Sequence, residues 1–324
     1  MSVTTGNPLQ SDTNMLKISV VIPTFNSGRF IAEALLSVLA QTYPPIDIIV
    51  VDDGSTDDTE HVVRRLMAIG PIAYCRQPNQ GPGVARNVGV SKAGGDWIAF
   101  LDADDVWYAE KLAVQADAIM TYPQVALFSS EMDYIDERGQ PRPPIDWHNI
   151  LTPLMFNHPT PLFPSTVILK KDAFITAGGF NPLLRSHEDA ELFIRMGSSS
   201  RMHHIGRSLV QYRTHPTQLH RDRERRAQSW PILCRFLTEM WKDDPSKLAI
   251  LRRQAAAVYA DLGRYYLRAG EYQAAREFLR QSLGHNPWAL NTIRRWGLSY
   301  IPGLREWYAS RRGKHRAQMT KPRP

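Results

Sequence analysis

Apolar residues in the first hundred positions gather into four short runs: Ile18 to Pro23, Ile46 to Val51, Ile72 to Cys75 and Trp97 to Asp102. Each is rich in β-branched residues and bounded by turn or acidic residues, which predicts buried strands. Between and after them the period changes. Ile31, Leu35, Val38 and Leu39 fall at i, i+4, i+7 and i+8, and Leu112, Ala116, Ile119 and Met120 repeat that spacing. This is the stripe of an amphipathic helix. Strands alternating with helices predict an α/β fold with a mainly parallel sheet covered on both faces. From Tyr122 to Arg185 the pattern loosens into Pro-rich loops with shorter runs, Val125 to Ser130 and Thr166 to Leu169. These are expected to complete the sheet and shape a cleft.

After about His220 helix formers take over, which suggests four parts: a flexible N-terminus at 1–16, an α/β domain at 17–220, a helical appendage at 221–293 and a basic aromatic tail at 294–324. Within the appendage Leu262, Gly263, Tyr266, Ala275 and Pro287 stand at the offsets of one tetratricopeptide-like unit. One copy cannot bury both of its faces, so it must pack on something else. A plain helical hairpin is the other reading.

Charge changes the picture at one end only. The net charge is +7, but residues 294–324 hold nine Lys and Arg against Glu306 alone, leaving 30 basic and 31 acidic residues elsewhere. A near-neutral body excludes a nucleic-acid partner for the whole molecule. The tail also carries Trp296, Tyr300, Ile301, Leu304, Trp307 and Tyr308. That mixture suits an anionic membrane surface, or else a solvated basic terminus. No run of 18 apolar residues occurs and Met1 to Asn14 lacks the features of a secretory signal, so a cytoplasmic location is expected, with peripheral contact at the inner face of the membrane. Cys75 and Cys234 have no metal or redox spacing and read as buried or partly buried thiols.

Polar residues collect at the carboxyl ends of the runs, where open α/β sheets bind ligands. The first run ends in Pro23-Thr24-Phe25-Asn26, the second in Asp52-Asp53-Gly54-Ser55-Thr56-Asp57, the fourth in Asp102-Ala103-Asp104-Asp105. Two carboxylates at a strand end can share one divalent cation, and oxygen ligands favour Mg²⁺ or Mn²⁺. They are equally turn formers and helix caps, and Asp105 fits a cap for the following helix. Asp53 can serve a nucleotide or simply a turn before the helix Thr56 to Leu66. Gly81-Pro82-Gly83 lacks the phosphate-loop pattern and reads as a turn. Glu188 and Asp189 open a helix running to Met196, where acids are favourable in any case.

In order and spacing, Ile18 to Asn26, Val51 to Asp57, Gly83-Val84-Ala85-Arg86-Asn87-Val88-Gly89 and Phe100 to Asp105 resemble the inverting glycosyltransferase family 2 with its GT-A fold. The resemblance covers about Lys17 to His220. It implies that Pro23, Thr24, Phe25 and Asn26 wrap the nucleotide base, with Phe25 stacking on it, and that Asp53 accepts a hydrogen bond from the base. Arg86, Asp102 and Ala103 would lie at the donor, and Asp104 would be the direct metal ligand. Gly178-Gly179-Phe180 followed by Glu188-Asp189 looks like the acceptor-side motif, which makes Asp189 the catalytic base and puts Glu188, with Trp107, on the acceptor side. Tyr212-Arg213-Thr214-His215-Pro216 resembles the stretch closing the domain, where His215 or Arg213 reaches the diphosphate or metal. The implied partners are a nucleotide diphosphate sugar, UDP-linked by resemblance, and a glycan, lipid-linked or other acceptor. The Gln-x-x-Arg-Trp motif of processive synthases is missing, which favours single-sugar transfer. A catalytically idle scaffold acting through its helical appendage is the alternative.

Overall fold

A computed structural model describes residues 15–145, 162–216, 218 and 222–300. The chain divides into two compact units, Met1–Leu219 and His220–Pro324. The first carries strands β1 (Ile18–Thr24), β2 (Asp47–Asp52), β3 (Ile72–Arg76) and β4 (Trp97–Phe100), with helices α1 (Ile31–Leu39), α2 (Thr59–Leu66) and α3 (Pro82–Lys92) between them. There follow β5 (Val106–Trp107), α4 (Lys111–Thr121), β6 (Val125–Asp136), β7 (Pro141–Arg142), β8 (Ile168–Lys170), α5 (Lys171–Thr176), α6 (Glu188–Ser199) and β9 (Arg201–Thr214). They form one mixed sheet in the order β3-β2-β1-β4-β8-β6-β9-β5, with β7 beside β6. β1 to β4 are mutually parallel, β8 runs antiparallel between β4 and β6, and β9 is parallel to β6.

The register places the chemistry. Thr24 pairs with Asp52, so the loops after β1 and β2 leave the sheet side by side. β4 pairs with β1 up to Phe100 opposite Val21, and Leu101 N–H still donates to Val21 O, so Asp102 emerges beside the first loop. Ile18, Val20 and Ile22 face Ile31, Leu35 and Val38 of α1 in the fully buried core. At roughly 25 cal/mol per Å² of apolar area, such side chains supply the main stabilisation of the sheet edge that holds the loops.

Three elements depart from their sequence patterns. β6 spans 12 residues, twice the apolar run. It continues because its backbone stays paired with β9, through register shifts at Glu131, after the hydrophobic alternation stops. α2 begins at Thr59. Asp57 is instead spent as an acceptor for Gly28 N–H and Thr59 N–H, which ties the second loop to the first. The run at Thr166 is partly a 3-10 turn, Pro164–Thr166, because Pro164 cannot donate to a ladder.

The second unit is helical: α7 (Arg223–Met240), α8 (Pro245–Ala269), α9 (Tyr272–His285) and α10 (Leu290–Leu298). Asp222 caps α7 through Glu224 N–H and Arg225 N–H, and Asp244 caps α8 through Lys247 N–H. Gly270 ends α8 at φ 87°, and the chain turns directly into α9. At Gly263 a Cβ would lie 2.6 Å from Leu279 Cγ, so the two helices approach as closely as glycine permits. α10 runs across the expected boundary between appendage and tail at 293/294. The expected flexible N-terminus falls, up to residue 14, outside the described residues, as does the tail beyond Tyr300. Cys75 is half-buried, Cys234 is buried, and both are free thiols. Among the described residues no helix is long and apolar enough to cross a membrane.

Candidate active site

The first two loops are laced together. Pro23 and Thr24 are buried at the end of β1, while Phe25 is 39% exposed. Asn26 adopts φ 50°, a left-handed conformation that asparagine tolerates. Its N–H donates to Ser55 Oγ (2.9 Å) and its Oδ1 accepts Thr56 N–H (2.8 Å). Asp52 is fully buried and accepts Ser55 N–H at 2.7 Å and Tyr74 O–H at 2.6 Å. Asp53 accepts Gln77 Nε2 (2.8 Å), Gln80 N–H (2.8 Å) and Gly81 N–H (2.7 Å), so it fixes the loop after β3 whatever else it binds.

That loop is more than a turn. Gly81 sits at φ 97°, and at Gly83 a Cβ would lie 3.1 Å from Glu188 Cγ and 3.2 Å from Phe180 Cβ. The second glycine therefore lets α3 meet the start of α6.

Asp102 to Asp105 close a tight turn, with Asp105 N–H donating to Asp102 O at 3.1 Å. Ser165, in the 3-10 turn, accepts Asp102 N–H (3.0 Å) and donates to Asp105 Oδ2 (2.6 Å). Arg213 N–H donates to Asp105 Oδ1 at 2.9 Å. Asp105 is thus a buried tie between three segments and not the cap of α4, which starts six residues later at Lys111. Burial first, then Asp104 and Asp102, push its carboxyl well above the usual carboxylate range. Arg213 also departs from expectation. Its guanidinium is engaged by Glu33 (2.6 Å), Asp104 O (2.8 Å) and Asp136 O (3.2 Å), which makes it a clamp on the acidic loop rather than a phosphate ligand. Trp107, expected on the acceptor side, is turned into the core, with its indole N–H on Ser165 O at 2.9 Å and Lys111 Nζ over its ring. The small Ala103 is buried between the two outer acids.

Across the cleft, Arg86 of α3 is only 4% exposed and bridges two elements. Its guanidinium donates to Asp102 Oδ1 (2.6 Å) and Glu188 Oε1 (2.8 Å), over the ring of Phe180. Burial opposes the charge, but Asp102 and Glu188 outweigh it and hold Arg86 firmly protonated. Asn87 completes the joint, donating to Phe180 O (2.8 Å) and accepting Phe180 N–H (2.9 Å), while Gly178 and Gly179 take the left-handed backbone at φ 86° and 67° that brings Phe180 there. His187, at φ 62°, turns the chain so that Glu188 and Asp189 open α6. Asp189 accepts Ala190 N–H at 2.7 Å. Its carboxyl is pushed up to about 7, chiefly by burial and then by the neighbouring Glu188 charge.

Asp104 Oδ2 lies 2.9 Å from His215 Nε2, whose ring packs on Phe30. That is hydrogen-bond contact, which brings one carboxylate and one imidazole together beside the acidic turn. Among the described residues no three His, Cys, Asp or Glu converge into a complete cage. Carboxylate oxygens and an imidazole are donor types that Mg²⁺ or Mn²⁺ accept beside diphosphate and water.

Asp52, Asn87 and Ser165 carry no role in the sequence pattern, and Arg213 only that of reaching the diphosphate or metal. Only the fold brings them to the loops they hold.

Comparison with known proteins agrees with this architecture. The family model described as Glycosyl transferase family 2 matches residues 19–189, more than half of the chain. An uncharacterised glycosyltransferase of Nostoc sp. is 43% identical over 123 residues, which cover 37% of this chain and 38% of that relative, so the match spans well under half the relative's length. Among solved structures, Staphylococcus aureus TarS 1–349 in complex with UDP-GlcNAc is similar with a TM-score of 0.64 at 20% identity, covering 82% of each chain. The mannosyltransferase PcManGT of Pyrobaculum calidifontis, in complex with GDP-Man and Mn²⁺, is similar with a TM-score of 0.57 at 20% identity, covering 92% of this chain and 84% of that one. At such identities the solved structures speak for the fold, here the GT-A fold. From the matched motifs and the site they build, the chain belongs to glycosyl transferase family 2.

Proposed function

We propose that the protein acts in the cytoplasm as an inverting transferase that moves a single hexose-type sugar from a nucleotide diphosphate, UDP in the first instance, to a hydroxyl of a glycan, lipid-linked or other acceptor. The observation that carries this reading is the bridge of Arg86 between Asp102 and Glu188, which sets a donor-side carboxylate and the carboxylate of Asp189 on one rigid frame.

Phe25 offers an exposed face for the base, with Asp53 in the adjacent loop, its N–H donating to Thr24 O. Asp189, held near neutrality, takes the proton of the acceptor hydroxyl. As that oxygen bonds to the anomeric carbon, the carbon–oxygen bond to the diphosphate breaks on the opposite face and the nucleotide diphosphate departs. A divalent ion held by Asp104, with Asp102 and His215 beside it, would supply positive charge for the leaving group when bound. Arg86 ties Glu188 and Asp102 together through its guanidinium, so the two halves of the site stay in line. The solved structures of similar fold that hold UDP-GlcNAc, or GDP-Man with Mn²⁺, support this class of donor.

A thermal-shift panel of nucleotide sugars, each with and without Mn²⁺, tests the reading. One donor class should raise the unfolding temperature in a metal-dependent way. No shift with any nucleotide sugar would overturn it.

A further inference from the structure

α6 holds a second ion pair besides that of Glu188. Glu191 and Arg195 stand at i and i+4, the spacing of an ordinary helix-surface pair, yet the Glu191 side chain is 1% exposed and that of Arg195 18%. The guanidinium forks onto both carboxylate oxygens, with Nε on Oε1 at 2.8 Å and Nη2 on Oε2 at 2.6 Å. Its other bonds leave the helix. Nη2 also donates to Gly179 O (2.6 Å), and Nη1 donates to Ala177 O. Ala177 ends α5, where carbonyls have no partner within their own helix, so Arg195 satisfies groups that α5 cannot.

The contacts close into a circuit. Gly179 leads directly into Phe180, whose ring lies 5.3 Å from the Arg86 guanidinium, and Arg86 binds Glu188 in the first turn of α6. Arg195, on the same helix, returns to Gly179. α6 is thereby fixed to one support at two points, at its start through Glu188 and roughly two turns further on through Arg195. One fixed point would leave the helix free to tilt about its start. Two hold the direction in which Asp189, the residue after Glu188, presents its carboxylate. A lysine could not take the place of Arg195, since one ammonium cannot span a carboxylate fork and two separate carbonyls.

We propose that Arg195, braced by Glu191, is a positioning residue for Asp189: it bolts α6 to the Gly178–Gly179 turn and so sets the base against the donor side of the site. The catalytic consequence rests on the reading of Asp189 as the base. The bolt itself does not.

The test uses the full chain carrying Arg195→Lys, with Glu191→Gln, which keeps the side-chain shape, as a milder second variant should the first fail to fold. Without donor, hydrogen–deuterium exchange read by mass spectrometry should rise about tenfold or more over residues 177–192. It should stay unchanged over residues 18–57, whose loops are held by Asn26, Asp53 and Ser55. With UDP-GlcNAc and Mn²⁺ as the probe, UDP release at saturation should fall about tenfold to a hundredfold, the scale of a displacement of about 1 Å, while KM for the donor stays within about twofold. Glu191→Gln should show the same pattern to a smaller degree. A role in stability alone would raise exchange in both regions and leave release per folded molecule unchanged. Asp189→Asn is the reference. The proposal is overturned if Arg195→Lys exchanges like wild type over 177–192, if release falls in Asp189→Asn but not in Arg195→Lys, or if donor KM rises in step with the loss of rate. Release that neither variant lowers counts against Asp189 as the base, and the positioning role falls with it. If wild type releases no UDP, the donor is wrong and the exchange arm decides alone.

Discussion

At the residue scale the site separates into acids that differ only in surroundings. Asp104 is half-open and paired with His215, whereas Asp105, next in the chain, is buried and saturated by Ser165 and Arg213. Asp104→Ala is expected to abolish transfer and remove the metal dependence of nucleotide binding, read by titrating donor with and without Mn²⁺. Retained activity in the presence of chelator would exclude the metal role. Asp189→Asn should leave donor binding intact and lower kcat by about two to four orders of magnitude. Because burial and Glu188 raise the Asp189 carboxyl to about 7, the active anion forms only as pH rises through that value, so kcat/KM should climb with pH across neutrality. Glu188→Gln removes a negative neighbour and frees Arg86, so the rising limb should move to lower pH. A limb that stays in place would assign it to another group. The same shift sets a stability trend. Between 3.8 and about 7 the folded chain holds a proton that the unfolded chain has released, so this group's contribution falls as pH rises through that window.

At the element scale, glycines mark where helices meet. Gly263→Ala would drive a methyl group into Leu279, and overpacking of this kind costs about 1–3 kcal/mol. A lowered unfolding midpoint with unchanged donor affinity would agree. An unchanged midpoint would mean that α8 and α9 can part at little cost. The helices and the parallel strands were legible because apolar spacing is dictated by the element's own period. β6 was half legible, since its second half is held by pairing to β9 and not by a hydrophobic face. The acids of the site were legible from their place at strand ends. Their sorting into cation-facing and structural members was not, because Ser165 lies 60 positions and Arg213 108 positions from Asp105. The burial of Trp107 was not legible for the same reason: its indole N–H partner, Ser165 O, lies 58 positions away.

At the scale of the whole molecule, two units are joined in one chain, and the family match ends at residue 189. The site does not end there. β9 brings back Arg213 and His215, so a fragment stopping shortly after residue 189 would leave Asp105 without its Arg213 N–H and Asp104 without its imidazole. Asp105 would keep only its Ser165 partner, and a buried oxygen left without its donor costs about 1–3 kcal/mol. A fragment of residues 15–219 should therefore keep donor binding, while one of residues 15–200 should lose cooperative unfolding, as followed by circular dichroism. Equal behaviour of the two would make β9 dispensable.

The single guanidinium shared by Asp102 and Glu188 also bears on how such a sequence can drift. Losing either acid leaves a buried cation half-neutralised, and losing Arg86 strands two anions, each change costing about 3–5 kcal/mol on its own. Positions 86, 102 and 188 should therefore evolve as a linked trio, substituted together or not at all.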